Sequence, residues 1–389
     1  MRVQNLKSRV YDVAVVGAGV FGAWTAYELQ RNGKQVLLIE PYGPGNSRSS
    51  SGGESRILRM GYGADEMYTR SANTSVKRWR ELFAQVDEPL LHRTGVLWLA
   101  HDDDPYAIAS AQTLAKVGIA FEKLTTTEVA QRYPQIGLDQ LAWAMLEPES
   151  GVIMARRAVQ MIVREAIKSG VDYLQDAVMP PVGKQKLESI TTTEGNRISA
   201  GEYVFACGPW LPKLFSEALG KRIHPTRQAV FFFGTRAGDP RFTPPTLPTL
   251  IDFKNEAYAL PDLEGRGVKL AIDRHGPPFD PDTGDRVVSN EELAEVRRYL
   301  AWRLPDMKDA PVNETRVCQY ENTSNGDFLI DRHPEFDNVW LVGGGSGHGF
   351  KHGPTVGEYV SARIDGVEEG IEPRFSLATK TSTQKRSVY

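Results

Sequence analysis

Cysteine is scarce in this sequence, whose 389 residues include only Cys207 and Cys318. Two cysteines cannot form the disulfide framework of a small secreted protein or a cysteine-rich metal site. An excess of charge of one sign is also lacking, since 46 basic residues stand against 49 acidic ones. The chain therefore has none of the basic excess typical of proteins that bind nucleic acid or anionic membranes, and we expect no such partner.

Long apolar runs are missing as well. The longest stretches, such as 13–16 and 95–100, fall far short of the roughly 20 residues that a membrane-spanning helix needs. The first eleven residues are polar and lack the hydrophobic segment of a signal peptide. Apolar residues nevertheless make up 41% of the chain, and its length suits about two domains. We therefore expect a globular, cytoplasmic protein with no membrane partner.

The first forty residues contain a dinucleotide-binding pattern. A short buried strand is predicted over 11–16, and it leads directly into a glycine-rich turn made of Gly17, Ala18, Gly19, Val20, Phe21 and Gly22. Residues 23–31 then have helical composition, and 35–39 form a second apolar strand that ends at Glu40. The order strand, glycine turn, helix, strand and acid is the context that this fingerprint requires.

Each part of the pattern has a physical role. Gly17 permits the tight turn, Gly19 lets the backbone approach a pyrophosphate, and Gly22 lets helix and strand pack closely. The helix N-terminus presents free amides to the phosphates. Glu40 can accept hydrogen bonds from ribose hydroxyls and would repel a 2′-phosphate, which disfavours NADP. The pattern alone does not separate NAD from FAD.

A polar segment over 41–53 is predicted to be a loop, and two arginines follow it. In a helix or a turn, Arg56 and Arg59 would share one side. Such a pair can bind an anion in a bidentate manner, or it can be a solvated charged pair on the surface. From this segment alone the surface pair is the better interpretation.

Taken together, the glycine turn, Glu40, the Ser/Gly loop and the arginine segment resemble the monomeric sarcosine oxidase family of flavoenzymes, within the D-amino-acid oxidase-like superfamily. N-methyltryptophan oxidase, pipecolate oxidase and the fructosyl amino acid oxidases belong to the same family. The resemblance continues to about residue 363 through the segments 204–210, 316–320, 327–334, 338–342 and 343–351. Each segment alone is weak evidence for the resemblance, but the segments occur in the same order and together span nearly the whole chain.

The resemblance implies an α/β fold with a Rossmann-type, glutathione-reductase-like FAD-binding domain and a second, mostly antiparallel β-sheet domain that covers the flavin. The FAD-binding domain would be discontinuous, and the second domain would fill the gaps. The implied bounds are 1–90, 150–220 and 320–375 for the first domain, 91–149 and 221–319 for the second, and 376–389 for a tail. The Thr/Ser/Lys-rich composition of that tail predicts poor order.

The resemblance also implies a bound FAD that is covalently attached through Cys318. From its residue type alone, Cys318 would be a small buried hydrophobe, and we keep that interpretation for Cys207. Beyond the glycine turn and Glu40, the resemblance implies that the cofactor contacts Ser51, Arg56, Val178, Ala206, Gly208, Cys318, Gly347, Gly349, Phe350 and Lys351.

The implied reaction oxidises the C–N bond of an amino acid, preferably one with a secondary (N-methyl, N-alkyl or cyclic) amine. The products would be an imine and hydrogen peroxide, with O2 as the electron acceptor. Arg59 and Lys351 would hold the substrate carboxylate, Lys269 would activate oxygen, and Tyr258 would line the pocket. From its strand alone, Lys269 would face solvent. We predict no metal, since the histidines lack paired ligand spacing, and we expect a monomer.

The chain departs from the family pattern at the predicted pocket. Sarcosine oxidases carry histidines just before the arginine segment, where this chain has Ser51 and Gly52. A further histidine is replaced by Asp273, unless His275 takes its place through a shift. The polarity of the pocket must therefore differ. The alternatives are an FAD dehydrogenase that reduces a quinone or a protein, a NAD-dependent dehydrogenase, and a non-catalytic flavin-binding protein.

Overall fold

The computed structural model describes residues 10–367 and 372–383. Within these ranges the α-helices are α1 (Val20–Arg31), α2 (Glu66–Val86), α3 (Pro105–Val117), α4 (Thr126–Arg132), α5 (Ala155–Lys168), α6 (Leu211–Leu214), α7 (Ser216–Leu219), α8 (Asn290–Arg303) and α9 (Gly353–Ile364). The strands are β1 (Tyr11–Val16), β2 (Val36–Ile39), β3 (Arg56–Leu58), β4 (Leu91–His92), β5 (Val96–Ala100), β6 (Glu122–Thr125), β7 (Trp143–Glu147), β8 (Gly151–Ile153), β9 (Asp172–Leu174), β10 (Ile190–Thr191), β11 (Arg197–Ile198), β12 (Ala200–Phe205), β13 (Ile223–Phe233), β14 (Thr249–Asp252), β15 (Ala257–Leu260), β16 (Val268–Ile272), β17 (Val312–Thr323), β18 (Leu329–Arg332) and β19 (Val339–Gly343).

Six strands form a sheet in the order β18–β19–β12–β1–β2–β9. Every neighbouring pair is parallel except β18 and β19. Both faces of the sheet are covered: Val13 and Val15 pack in one hydrophobic cluster with helix α1, while Ala14 and Val16 pack in another on the opposite side. Burial on both faces explains why β1 and β2 are nearly continuous apolar runs in the sequence.

The glycine turn joins β1 to α1, which begins at Val20 rather than at the predicted residue 23. Gly17 has φ = +104°, and a Cβ there would lie 2.4 Å from the carbonyl oxygen of Ala206. A Cβ on Gly22 would lie 1.9 Å from the carbonyl oxygen of Gly17. The helix therefore starts inside the glycine pattern, because these residues let it approach the strand closely.

Eight strands form the second sheet, in the order β17–β13–β16–β15–β14–β5–β7–β6. All its pairs are antiparallel except β14 and β5. Helix α8 packs on this sheet through Val296 and Leu300. The parallel and antiparallel sheets together confirm the predicted α/β fold class, while the exact domain boundaries stay a prediction.

Two local predictions are wrong. The arginine segment contains β3, which pairs antiparallel with β8, and Arg59 is buried, so the interpretation as a solvated surface pair is wrong for Arg59. In the tail, Leu377 and Lys380 are buried, and the Lys380 ammonium donates to the Arg374 carbonyl at 2.6 Å. This part of the tail is therefore ordered, while 384–389 lie outside the described residues. Among the described helices, none combines the length and hydrophobicity that a membrane crossing requires.

Candidate functional site

A cavity of about 390 Å³ lies where the parallel strands of the first sheet end. Its wall is formed by the carboxyl ends of β1, β2, β12 and β19 and the loops that follow them, which is where open α/β sheets bind their ligands. The predicted cofactor residues that line it are Gly17, Gly19, Val20, Phe21, Glu40, Ser51, Arg56, Val178, Ala206, Gly208, Gly347, Gly349 and Phe350. Sequence positions up to 333 residues apart thus meet around one cavity.

Glu40 organises the glycine turn. One carboxylate oxygen accepts a hydrogen bond from the Ala18 amide at 2.9 Å, and the other accepts from the Tyr42 amide at 3.1 Å. Burial raises the pKa of Glu40, although the two amides act in the opposite direction. The Ser51 hydroxyl accepts from the Val20 amide at 3.0 Å, at the start of α1. Ala18 and Gly22 were predicted to contact the cofactor. They belong to this turn but do not line the cavity.

Two buried polar atoms in this cavity lack a hydrogen-bond partner among the described residues: the Ser50 hydroxyl and the Oε2 atom of Glu321. The Oε1 atom of Glu321 accepts from the Gly345 amide at 3.2 Å. Burial raises the pKa of Glu321 to about 7. Unpaired buried polar atoms cost free energy. A polar ligand in this cavity would supply the missing hydrogen bonds. Glu321 was missed in the sequence, where it is one polar residue of an edge strand.

A second cavity of about 100 Å³ adjoins the first. Arg56, Tyr320 and Phe350 line both cavities. The smaller cavity is also lined by every residue predicted to act on the substrate or on oxygen, and by the predicted attachment residue: Arg59, Tyr258, Lys269, Cys318 and Lys351.

Two buried cations face the smaller cavity. The Arg59 guanidinium lies over the rings of Tyr62 and Trp98, with its central carbon 4.4 and 5.1 Å from their centroids, and donates to the Gly61 carbonyl. The Lys351 ammonium donates to the Tyr62 hydroxyl at 2.9 Å and to the backbone carbonyl of His348 at 3.0 Å. Burial and the neighbouring Arg59 hold the pKa of Lys351 well below its usual value. The negative charge of a bound anion would favour the charged ammonium and so raise this pKa.

Lys269 is buried, so the solvent-facing interpretation is wrong. Its side chain lines the smaller cavity and is only 4% exposed. Its ammonium donates to the Ser55 carbonyl at 2.7 Å and lies 6.0 Å from the centroid of the Tyr258 ring. Burial and the nearby Arg56 hold the pKa of Lys269 well below its usual value.

The two cysteines line different cavities. Cys318 is half-buried in the smaller one, and its sulfur accepts a hydrogen bond from Arg56 at 3.3 Å. Cys207 lines the larger one, and its thiol donates to the Val16 carbonyl at 3.4 Å. Burial raises the pKa of Cys207 well above its usual value, which keeps this thiol protonated and unreactive.

Asp273 brings a negative charge to the same cavity. Its carboxylate accepts a hydrogen bond from the Tyr320 hydroxyl. Burial raises the pKa of Asp273 to about 6, although Tyr320, Arg59 and Lys351 act in the opposite direction. The family pattern showed only that an acid replaces a histidine there, and the structure shows which cations it faces.

Glu147, at the end of β7, holds the backbone next to Arg59 in place. Its carboxylate is fully buried and accepts four hydrogen bonds: from the amides of Met60 and Gly61, the Trp98 indole and the Ser150 hydroxyl, at 2.7, 3.0, 2.7 and 2.6 Å. The sequence carried no signal for this role. No group of three or more potential metal ligands was found within residues 10–367 and 372–383.

Comparison with known proteins places these cavities in context. The family described as DAO, FAD dependent oxidoreductase, matches residues 12–363. The monomeric sarcosine oxidase of Bacillus sp. strain B-0618 is 29% identical over 387 residues, which covers 97% of this chain and 99% of the relative. The N-methyl-L-tryptophan oxidase of Yersinia pestis is 26% identical over 376 residues, which covers 95% and 99%. The fold of L-proline dehydrogenase from P. horikoshii superposes with a TM-score of 0.84 at 23% identity, covering 95% of this chain and 97% of that one.

Proposed function

This chain belongs to the DAO family of FAD dependent oxidoreductases, and we propose that it oxidises the C–N bond of a secondary amino acid to an imine. The proposal includes a covalent bond from FAD to Cys318, O2 as the electron acceptor, hydrogen peroxide as the second product and action as a monomer. The observation that carries it is the pair of buried basic side chains, Arg59 and Lys351, in a small cavity that adjoins the larger one.

The larger cavity suits FAD. Glu40 would accept from the ribose hydroxyls, the glycine turn and the start of α1 would face the pyrophosphate, and Val178 would lie beside the adenine. Toward the smaller cavity, Arg56, Gly347 and Phe350 would contact the other end of the cofactor, within reach of Cys318. When bound, FAD supplies the acceptor for the two electrons that leave the substrate.

The substrate carboxylate would bind between Arg59 and Lys351. Both side chains are buried, and charge-assisted hydrogen bonds are stronger where water is excluded. Holding the carboxylate orients the rest of the substrate, and this restriction of motion is itself a large contribution to rate. Asp273 would accept a hydrogen bond from the N–H of a secondary amine. Lys269 would stabilise negative charge that develops on oxygen during its reduction.

The names of three relatives support a secondary amine as the substrate class. Sarcosine, N-methyl-L-tryptophan and L-proline are amino acids with a secondary amine. The amine must be neutral to react, since an ammonium has no lone pair to assist the loss of hydride. Ser51 and Gly52, which stand where sarcosine oxidases carry histidines, do not line the smaller cavity, whereas Asp273 does. The side-chain preference of this pocket has to be measured.

An anaerobic screen of N-methyl, cyclic and glycated amino acids tests the proposal. We expect at least one of them to bleach the visible absorbance of the bound flavin, and readmitted air to restore it with release of peroxide. The matching carboxylic acids without nitrogen should bind without bleaching. Bleaching by none of the amino acids would contradict the proposed oxidation. Bleaching that air does not reverse would instead show an acceptor other than oxygen.

A further inference from the structure

A chain of hydrogen bonds leads from the smaller cavity to the surface of the molecule. It begins at the Lys351 nitrogen, which lies 2.9 Å from the Tyr62 hydroxyl. The same hydroxyl lies 2.7 Å from the Nε2 atom of His352. The other ring nitrogen of His352 lies 2.8 Å from the Ser71 hydroxyl. All four groups are in hydrogen-bond contact, with no gap between them.

The two ends of this chain lie in different surroundings. Lys351, Tyr62 and His352 are buried, with exposures of 5, 1 and 0%. Ser71, on α2, is half-buried, and so is Thr355, whose hydroxyl lies 2.8 Å from that of Ser71. The chain therefore connects a side chain in the cavity with two hydroxyls at the edge of the solvent-exposed surface.

We propose that Tyr62, His352 and Ser71 form a proton relay through which Lys351 gains and loses its proton while a ligand occupies the cavity. The inference rests on the role of Lys351 in the proposed function. A carboxylate bound beside Lys351 favours the charged ammonium, and its departure favours the neutral amine. Each binding and release therefore moves one proton to or from a side chain that is only 5% exposed.

The transfer is balanced at every group. For uptake, the Ser71 hydroxyl gives a proton to Nδ1 of His352, Nε2 gives one to Tyr62, and the Tyr62 hydroxyl gives one to Lys351. Ser71 is then reprotonated from solvent. Each intermediate group gains one proton and loses one, and no electrons move. Release follows the same steps in reverse.

The state of His352 suits this role. Burial holds its pKa well below the usual value, and Lys351 and Arg59 act in the same direction. A neutral imidazole has one donor and one acceptor nitrogen, as a relay requires. The charged groups that act on Lys351 itself are Arg59, Asp273 and Glu147. The rings of Tyr68 and His348 also pack against His352, with centroids 5.4 and 5.8 Å away.

Propionate tests the relay without any oxidation, because it is a carboxylate without nitrogen. The holoenzyme is mixed with propionate in weakly buffered solution, where a pH indicator follows proton uptake and the flavin spectrum follows binding. In wild type we expect uptake of protons together with binding. In Ser71→Ala we expect binding to be unchanged and uptake to lag behind it, slower by about 100-fold, as for the loss of a positioned proton donor.

The chain offers a matched control. Ser75 lies one helical turn from Ser71 on α2, and its hydroxyl also contacts Thr355, at 3.1 Å, but no hydrogen bond joins it to His352. Ser75→Ala should therefore behave as wild type. His352→Phe is a second relay variant that removes both ring nitrogens and keeps an aromatic ring among Tyr62, Tyr68 and Phe328.

The outcomes are distinguishable. Slow uptake in both relay variants and fast uptake in the control support the relay. Fast uptake in either relay variant, or no uptake in wild type, overturns it. If wild type takes up the proton as expected but no amino acid bleaches the flavin, the proposed oxidation fails while the relay stands.

Discussion

At the scale of single residues, the roles of Cys318 and Lys269 depend on which cavity each side chain reaches. Both are unremarkable in their own strands, where a cysteine suggests core packing and a lysine suggests solvent. In the folded chain both line the smaller cavity, together with Arg56. Two predictions test these roles.

Replacement of Cys318 by alanine should abolish covalent flavin attachment. We expect acid precipitation of Cys318→Ala to leave the flavin in the supernatant, whereas wild type keeps it in the pellet. Cys207→Ala is the control, because Cys207 lines the larger cavity and its thiol is held protonated. If wild type also releases its flavin, no bond to Cys318 exists.

Replacement of Lys269 by methionine should slow the reaction with oxygen. The methionine preserves the length and the packing of the side chain but cannot stabilise negative charge, and loss of one such group costs about 100-fold in rate. Stopped-flow mixing of the reduced enzyme with O2 measures this step, and anaerobic reduction by substrate should be spared. Lys254→Met, at an exposed position between β14 and β15, is the control. The opposite pattern, slow reduction and normal reoxidation, would assign Lys269 to the substrate.

At the scale of elements, Glu147 links strand β7 to the segment that carries Arg59 and to Trp98 on β5. Its carboxylate accepts from two backbone amides and an indole, all of which are donors. The position of the Arg59 guanidinium therefore depends on an acid 88 residues further along the chain. Arg59 and Glu147 therefore form one unit, although Arg59 follows β3 and Glu147 ends β7.

Glu147→Gln should destabilise the protein and weaken the binding of carboxylates. The carboxamide puts an NH2 group against donors, and each buried donor left unpaired costs about 1–3 kcal/mol. Chemical denaturation measures the stability, and propionate titration of the flavin spectrum measures the binding. Glu149→Gln changes a more exposed carboxylate that pairs with Arg80, so its effect should stay below about 1 kcal/mol. Equal stability of the two variants would show that Glu147 does not hold this segment.

At the scale of the whole molecule, Glu321 in the larger cavity is expected to make the free energy of unfolding depend on pH. The pKa of Glu321 rises from 4.5 to about 7 because of burial. Over this range the folded chain holds a proton that the unfolded chain has lost, so this residue lowers stability progressively as the pH rises. Below pH 4.5 both states are protonated, and above about 7 both are ionised, so the contribution changes only between these limits.

Glu321→Gln should remove this dependence from the flavin-free protein. The unfolding free energy of the variant relative to wild type should increase as the pH rises from 4.5 to about 7 and then stay constant. Urea denaturation at several pH values, on protein produced without riboflavin, measures it. Asp331→Asn is a control acid outside the cavity. A difference between variant and wild type that does not change with pH would show that Glu321 is already ionised in the folded state.

Local patterns in the sequence determined the nucleotide-binding half of this protein. The strand, glycine turn, helix and acid of residues 11–40 are contiguous, and their backbone geometry follows from residue type and short-range packing. The resemblance of later segments extended this to the fold class and to the residues that line both cavities. Strand β1 has the predicted bounds, 11–16, because its apolar pattern is local as well.

Only the tertiary structure decided which side chains are buried and which of them meet. Lys269 is shielded from solvent because its side chain lies in the smaller cavity. Arg56 and Arg59 line that cavity as well, and they reach it from a segment that pairs with β8. Glu147, Glu321 and the relay from Lys351 to Ser71 join segments far apart in the chain. The pKa values and hydrogen bonds of such groups are set by neighbours that are distant in the sequence and close in space. Local sequence patterns therefore cannot reveal them.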